Sequence, residues 1–202
     1  MSKTALDIVL IPTEPLFAEC LALNNQFPNK EHFIDFSAGK HIPHLSLSMT
    51  VANDTGIPNQ IAEIITQLSA FPTLTLTVKG LESYTNSEGE TVHWLRFENN
   101  ALLSKLHNKA VGIFPSAATE NFGKDAFANN EARLADMEYV RHYQEKHALE
   151  HFQPHITLGI SNAELQTDWA GKSITFSQVG IYQLGKYCTC AQEIHTFLLE
   201  GI

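Results

Sequence analysis

Cysteines, cationic side chains and long apolar runs are all scarce in this 202-residue chain. Three cysteines (Cys20, Cys188, Cys190) are an odd number, too few for a disulfide framework, and predict a reducing compartment. Lysine and arginine number 13 against 22 aspartates and glutamates, a net charge of −9, and neither half of the chain is basic. Sequence-independent binding to a long duplex needs many phosphate-neutralising cations, so long duplex nucleic acid is excluded as a partner. A small anionic ligand or one nucleic-acid terminus remains compatible. No run approaches the ~18 apolar residues of a membrane span. Ala5 to Ile11, interrupted by Asp7 and preceded by one lysine, makes a poor signal peptide. Eleven glycines and eight prolines exclude collagen-like and low-complexity chains. These absences predict a cytoplasmic protein with no membrane partner, and nothing in them argues against a monomer.

What is present is an alternation of strand and helix patterns. Ala5 to Ile11 reads as a buried strand, followed by a helix from about Pro15 to Gln26 that Thr13 can cap, with Leu16, Cys20 and Leu23 on one face. His44 to Ala52 alternates, Ile57 to Ala70 has helical spacing, and Leu74 to Val78 and Val92 to Phe97 flank a polar turn. The second half repeats the theme. A helix from Asn100 to Val111 precedes a long Pro115–Asn130 connection expected to be a mobile loop. A charged helix from Glu131 to about Glu150 follows, with Leu134, Met137, Val140 and Tyr143 as its packing edge. Strands at His155–Ile160, Ser173–Leu184 and Glu193–Leu199 complete the chain. Interleaved helices and hairpin-like pairs indicate an α+β fold with mainly antiparallel sheet. With no Pro/Gly-rich linker, residues 1–202 read as one domain.

The most informative feature is an internal echo. Pro43-His44-Leu45-Ser46-Leu47 and Pro154-His155-Ile156-Thr157-Leu158 share the pattern Pro, His, aliphatic, hydroxyl, Leu, each at the start of an expected strand. With a period of two, His44, Ser46 and Ser48 share one face and Leu45, Leu47 and Met49 the other. Likewise His155, Thr157 and Gly159 oppose Ile156, Leu158 and Ile160. The aliphatic faces go to a core. If the halves are related by a pseudo-two-fold axis, both polar faces line one cleft holding two imidazoles and two hydroxyls. Two opposed imidazoles suit concerted general acid and base catalysis near neutrality, and hydroxyls suit non-bridging phosphate oxygens. No carboxylate cluster of a two-metal phosphatase is evident. The implied chemistry is metal-free phosphodiester cleavage without a cofactor.

This pair of His-aliphatic-Ser/Thr-aliphatic motifs resembles the two-histidine phosphoesterase superfamily, most closely its bacterial 2′-5′ RNA ligase-like and cyclic phosphodiesterase proteins. The resemblance runs from Asp7-Ile8-Val9-Leu10 through both motifs, including Tyr143-Gln144-Glu145-Lys146 ahead of Glu150-His151-Phe152. It implies a bilobal α+β fold, two mainly antiparallel sheets around a central V-shaped cleft with helices outside. It also implies hydrolysis of 2′,3′-cyclic phosphates or 2′-5′ linkages, with a nucleotide or short RNA terminus as substrate. His44 and His155 would carry the catalysis, and Ser46 and Thr157 would bind phosphate. Many relatives place an arginine soon after the second motif, where Gly159-Ile160-Ser161 stands here.

Other readings have their own residues. Tyr143 and Lys146, three apart on an expected helix, share a face; they are either a solvated lysine beside a packing ring or a lid offering charge to phosphate and a ring to a base. Tyr84, Trp94 and Phe152 read as packing. His41-x-x-His44 and His151-x-x-x-His155 have metal-ligand types, but Pro43 and Pro154 interrupt any helical face, so no metal is expected from them. Cys188 and Cys190 read as two same-face strand residues. The alternative to an enzyme is a non-catalytic nucleotide or RNA-end binding module on the same fold. A metal-dependent hydrolase is the third possibility weighed.

Overall fold

A computed structural model describes residues 2–86, 88–114 and 121–200. Among these residues are seven strands and five helices, in the order β1 (Lys3–Pro12), α1 (Leu16–Asn24), β2 (Leu45–Asn53), α2 (Ile57–Leu68), β3 (Leu74–Thr85), β4 (Thr91–Phe97), α3 (Ala101–Ile113), α4 (Leu134–Arg141), α5 (Tyr143–Lys146), β5 (His155–Ile160), β6 (Ser173–Leu184) and β7 (Cys190–Leu198). Every strand pairing is antiparallel. Local chemistry sets several boundaries. Asn100 caps α3 by accepting the Leu103 N–H. Pro58 enters α2 in its first turn, where a missing N–H costs nothing. The β3–β4 turn is closed by the Asn86 side chain, which accepts the Glu88 and Glu90 N–H groups, with Gly89 at φ +79.

The topology is a pair of lobes. β2, β1, β6 and β7 form one, and β5, β4, β3 and the first residues of β6 form the other. The expected two sheets are therefore joined into one seven-stranded sheet in which β6 serves both lobes. A second junction is the single pair Leu45↔Ile156, where β2 meets β5. Each of these residues directly follows a motif histidine. The pairing thus brings His44 and His155 to the same point of the sheet. The apolar faces of both lobes share one large core under α1, α2 and α3, including Leu6, Ile8, Leu45, Leu95, Ile156 and Phe176.

Several expectations shift. Thr13 does not cap α1; its hydroxyl donates to the Thr175 carbonyl instead. The long charged helix is broken at His142 into α4 and α5. Its buried side is Asp136, Val140 and Tyr143, so Leu134, half a turn away from Asp136, is 78% exposed rather than packed. Of the expected mobile loop, residues 115–120 lie outside the described residues. From Asn121 onward the chain makes two short 3₁₀ turns and buries Ala126 and Phe127. Cys188 sits in a turn at φ +52 and only Cys190 enters β7, so they are not a strand pair.

Candidate active site

Both motif strands carry a β-bulge at the same motif position. In β2 the pairing jumps from Ile8↔Ser48 to Val9↔Ser46, and Leu47 is the extra residue. In β5 it jumps from His93↔Gly159 to Trp94↔Thr157, and Leu158 is extra. A bulge reverses the phase of side-chain alternation beyond it. Consequently Met49 and Ile160, expected in the core, line the cleft. Ser48, expected in the cleft with His44, is fully buried with no hydrogen-bond partner for its hydroxyl. Gly159 likewise turns inward, where an added Cβ would stand 2.5 Å from the Phe27 ring.

The orphaned bulge carbonyls are held by matching clamps. His107 of α3 donates Nδ1–H to the Leu47 carbonyl (2.7 Å) and accepts the Leu149 N–H on Nε2 (2.8 Å). Asn24 of α1 donates to the Leu158 and Ile34 carbonyls (both 2.8 Å) and accepts the Phe36 N–H (3.0 Å). Each helix thus fixes the motif strand of the opposite half. Neither residue touches the cleft.

His44 and His155 are oriented identically. Each places Nδ1 on the carbonyl two residues upstream, Ile42 at 2.8 Å and Gln153 at 2.7 Å. A carbonyl only accepts, so Nδ1 carries the hydrogen and Nε2 keeps its lone pair. Both rings line one cleft of about 700 Å³, together with Ser46 and Thr157. Desolvation pulls both imidazoles down to about 4, only partly countered by the carbonyl bonds. A charge on His44 further disfavours one on His155, as does Arg96.

The surroundings break the two-fold likeness. The registers equate Asp7 with Val92 and Val9 with Trp94, since Asp7 pairs Met49 as Val92 pairs Ile160. On the His44 side Asp7 is fully buried, accepts the Ser46 hydroxyl at 2.7 Å and stands 3.8 Å from His44 Nε2. Burial pushes its carboxyl well above the usual carboxylate range, and the Ser46 bond offsets this only in part. On the other side the Trp94 ring stacks on His155 at 4.3 Å, with Tyr84 on Trp94 and the Arg96 guanidinium 5.5 Å from the indole.

Tyr143 and Lys146 both line the cleft, Tyr143 buried and Lys146 exposed. His151 joins them on the wall, whereas His41 accepts the Asp35 N–H. Phe152 also borders the cleft and stacks flat on His107 at 3.8 Å. Sequence reading missed Asp7, Trp94 as a ring partner of His155, and Arg133. Arg133 lies on the cleft wall, bound to Glu88, Glu90 and Asp136 and stacked 3.6 Å over Tyr187. The available signal for Asp7 was a lone carboxylate inside an otherwise apolar strand, an expensive placement without a purpose.

No family model matches the chain, and no curated protein matches it. Solved structures do. TT0787 of Thermus thermophilus superposes with a TM-score of 0.60 at 14% identity, covering 98% of this chain and 99% of that one. E. coli LigT in complex with ATP gives 0.56 at 13%, covering 98% and 99%. A protein described as a phosphoesterase gives 0.54 at 16%, covering 97% and 98%. At these identities the likeness is one of architecture: the chain shares its fold with TT0787, LigT and that phosphoesterase.

Proposed function

We propose that the chain is a metal-independent phosphodiesterase that opens 2′,3′-cyclic phosphates of nucleotides or short RNA ends, with 2′-5′ linkages as the related substrate. The observation that carries this is the matched orientation of His44 and His155, each with Nδ1–H spent on a carbonyl and Nε2 free in one cleft. LigT, which shares the fold, has been crystallised with ATP, NADP+, 3′-AMP and phosphate, which supports a nucleotide in this cleft. We read residues 1–202 as one two-lobed unit acting as a monomer in the cytoplasm.

In this reading one imidazole Nε2 takes a proton from water as its oxygen bonds to phosphorus. The other gives its Nε2 proton to the departing ribose oxygen as that P–O bond breaks. The product is a phosphate monoester beside a free hydroxyl. Ser46 and Thr157 donate to the non-bridging oxygens, Lys146 contributes charge, and Trp94 and Tyr143 border the nucleoside. Both imidazoles are neutral in the free protein at pH 7, so the acid gains its proton together with the anionic substrate. kcat/KM therefore depends on a singly protonated pair. That state empties as pH rises through the depressed histidine values. Accordingly, kcat/KM is expected to fall continuously between about pH 5 and about pH 8, approaching tenfold per unit. A profile flat across that range would contradict the assignment.

Asp7 serves Ser46. Its Oδ2 accepts the Ser46 hydroxyl and holds the serine in the cleft, ready to turn that proton to a phosphate oxygen when substrate binds. Asp7→Asn keeps an acceptor for the Ser46 hydroxyl and is expected to leave KM within about threefold, whereas Asp7→Leu raises KM by about tenfold, the value of one lost hydrogen bond. Steady-state kinetics of the two variants check this; equal KM values for both would remove Asp7 from substrate binding.

The reading is tested by product release from 2′,3′-cyclic mononucleotides, an RNA ending in a cyclic phosphate, and 2′-5′ dinucleotides, with excess chelator. Turnover of any of them supports it. Tight binding without turnover at every pH would instead make the chain a nucleotide-binding module.

A further inference from the structure

Buried beside His44, behind the residues that line the cleft, is a constellation that acid–base chemistry leaves unused. A carboxylate oxygen of Asp7, a ring nitrogen of His44 and Sγ of Cys190 lie within 4.8 Å of one another, the one such trio among the described residues. They come from β1, the residue just ahead of β2, and β7. The β1–β2, β1–β6 and β6–β7 pairings hold these backbones in place.

We propose that Asp7, His44 and Cys190 form a zinc site, and that zinc there silences the enzyme by occupying the His44 lone pair. Four features support it. The donor set is one nitrogen, one oxygen and one sulfur, the types zinc combines. His44 donates its other ring N–H to the Ile42 carbonyl, the outer-shell bond that metal-bound histidines make. Oδ1 of Asp7 is buried with no hydrogen-bond partner, a cost that a cation removes. Finally, the charges close: carboxylate, thiolate and neutral imidazole around a divalent ion leave the buried site with no net charge.

Three protein ligands leave a fourth position for water or an added ligand. The second lobe has no counterpart, because Val92 stands where Asp7 does in the register. Cys188 is nearby but its thiol is directed at the Asp136 carbonyl, 3.7 Å away. The site itself is independent of the proposed reaction; only the inhibitory consequence rests on it.

Cobalt is a spectroscopic substitute for zinc. Titration of the full chain with Co²⁺ is expected to give a thiolate-to-cobalt charge-transfer band saturating at one ion per chain, abolished by added Zn²⁺. Cys190→Ser is expected to lose the band, weaken zinc binding by at least tenfold in calorimetry, and keep basal turnover. Zinc inhibition of cyclic-phosphate hydrolysis should then shift to at least tenfold higher zinc in that variant. Absence of the band in wild type overturns the site, as does its persistence in Cys190→Ser with loss only in Cys188→Ser. Circular dichroism of each variant shows that it is folded. Because the cobalt band needs no turnover, an inactive protein would sink the phosphodiesterase reading without touching this one.

Discussion

Alanine at His155 is expected to lower turnover of a 2′,3′-cyclic phosphate by about 10²–10⁴-fold, the contribution typical of a positioned acid or base. His44→Ala should fall in the same range. The double variant should lose little more than either single one, because the groups act in one concerted step and such effects are grossly non-additive. Stability separates this from misfolding. Both rings are only partly buried and bond to carbonyls at the cleft edge. Their removal should cost no more than about 1–2 kcal/mol, including the lost stacking of Trp94 on His155. A variant that retains near-wild-type turnover would show that its histidine takes no part in the chemistry.

Asn24→Ala should produce the opposite phenotype, a large loss of stability with no lost cleft group. Asn24 is fully buried and satisfies two carbonyls and one N–H, among them the Leu158 bulge carbonyl and the Phe36 N–H. Alanine leaves all three without partners inside the core. At about 1 kcal/mol or more for each, the expected destabilisation is about 3 kcal/mol, with the fold of the surviving native state unchanged. His107→Ala should cost a similar amount, since it frees the Leu47 carbonyl and the Leu149 N–H and opens a gap beside Phe152. Urea unfolding at neutral pH measures both. Losses below about 1 kcal/mol would mean that water readily replaces the clamps. His107 adds a pH signature. Burial lowers it to about 4, so its neutral form is stabilising above the unfolded value near 6.5, and that contribution fades as pH falls from there toward 4.

Much of this architecture was legible because it is local. Period-two alternation placed β2, β4, β5 and β6 close to their observed positions, and the repeated pentapeptide picked out four residues, His44, Ser46, His155 and Thr157, that line one cleft. The bulges were not legible. Leu47 and Leu158 look like ordinary inward residues, and only long-range pairing with β1 and β4 makes them the extra ones. That single displacement misplaced Ser48, Met49, Gly159 and Ile160 at once. The clamps escaped for the same reason, since a buried histidine or asparagine on an amphipathic helix announces nothing until its distant carbonyl is known. The break at His142 has no proline or glycine to mark it. Asp7 was visible as an anomaly in an apolar strand, but its partners lie on β2 and β7, far away in the chain.

In the proposed reaction the two free imidazole nitrogens deliver water to phosphorus and a proton to a ribose oxygen without a metal. Phosphorus NMR of a 2′,3′-cyclic nucleotide in heavy-oxygen water with excess chelator, for wild type beside His44→Ala and His155→Ala, tests it most directly. Wild type is expected to yield a single monoester isomer carrying one heavy oxygen on phosphorus, while neither variant does so in the same time. Hydrolysis that proceeds in either variant at the wild-type rate, or that stops in wild type when chelator is added, would contradict it.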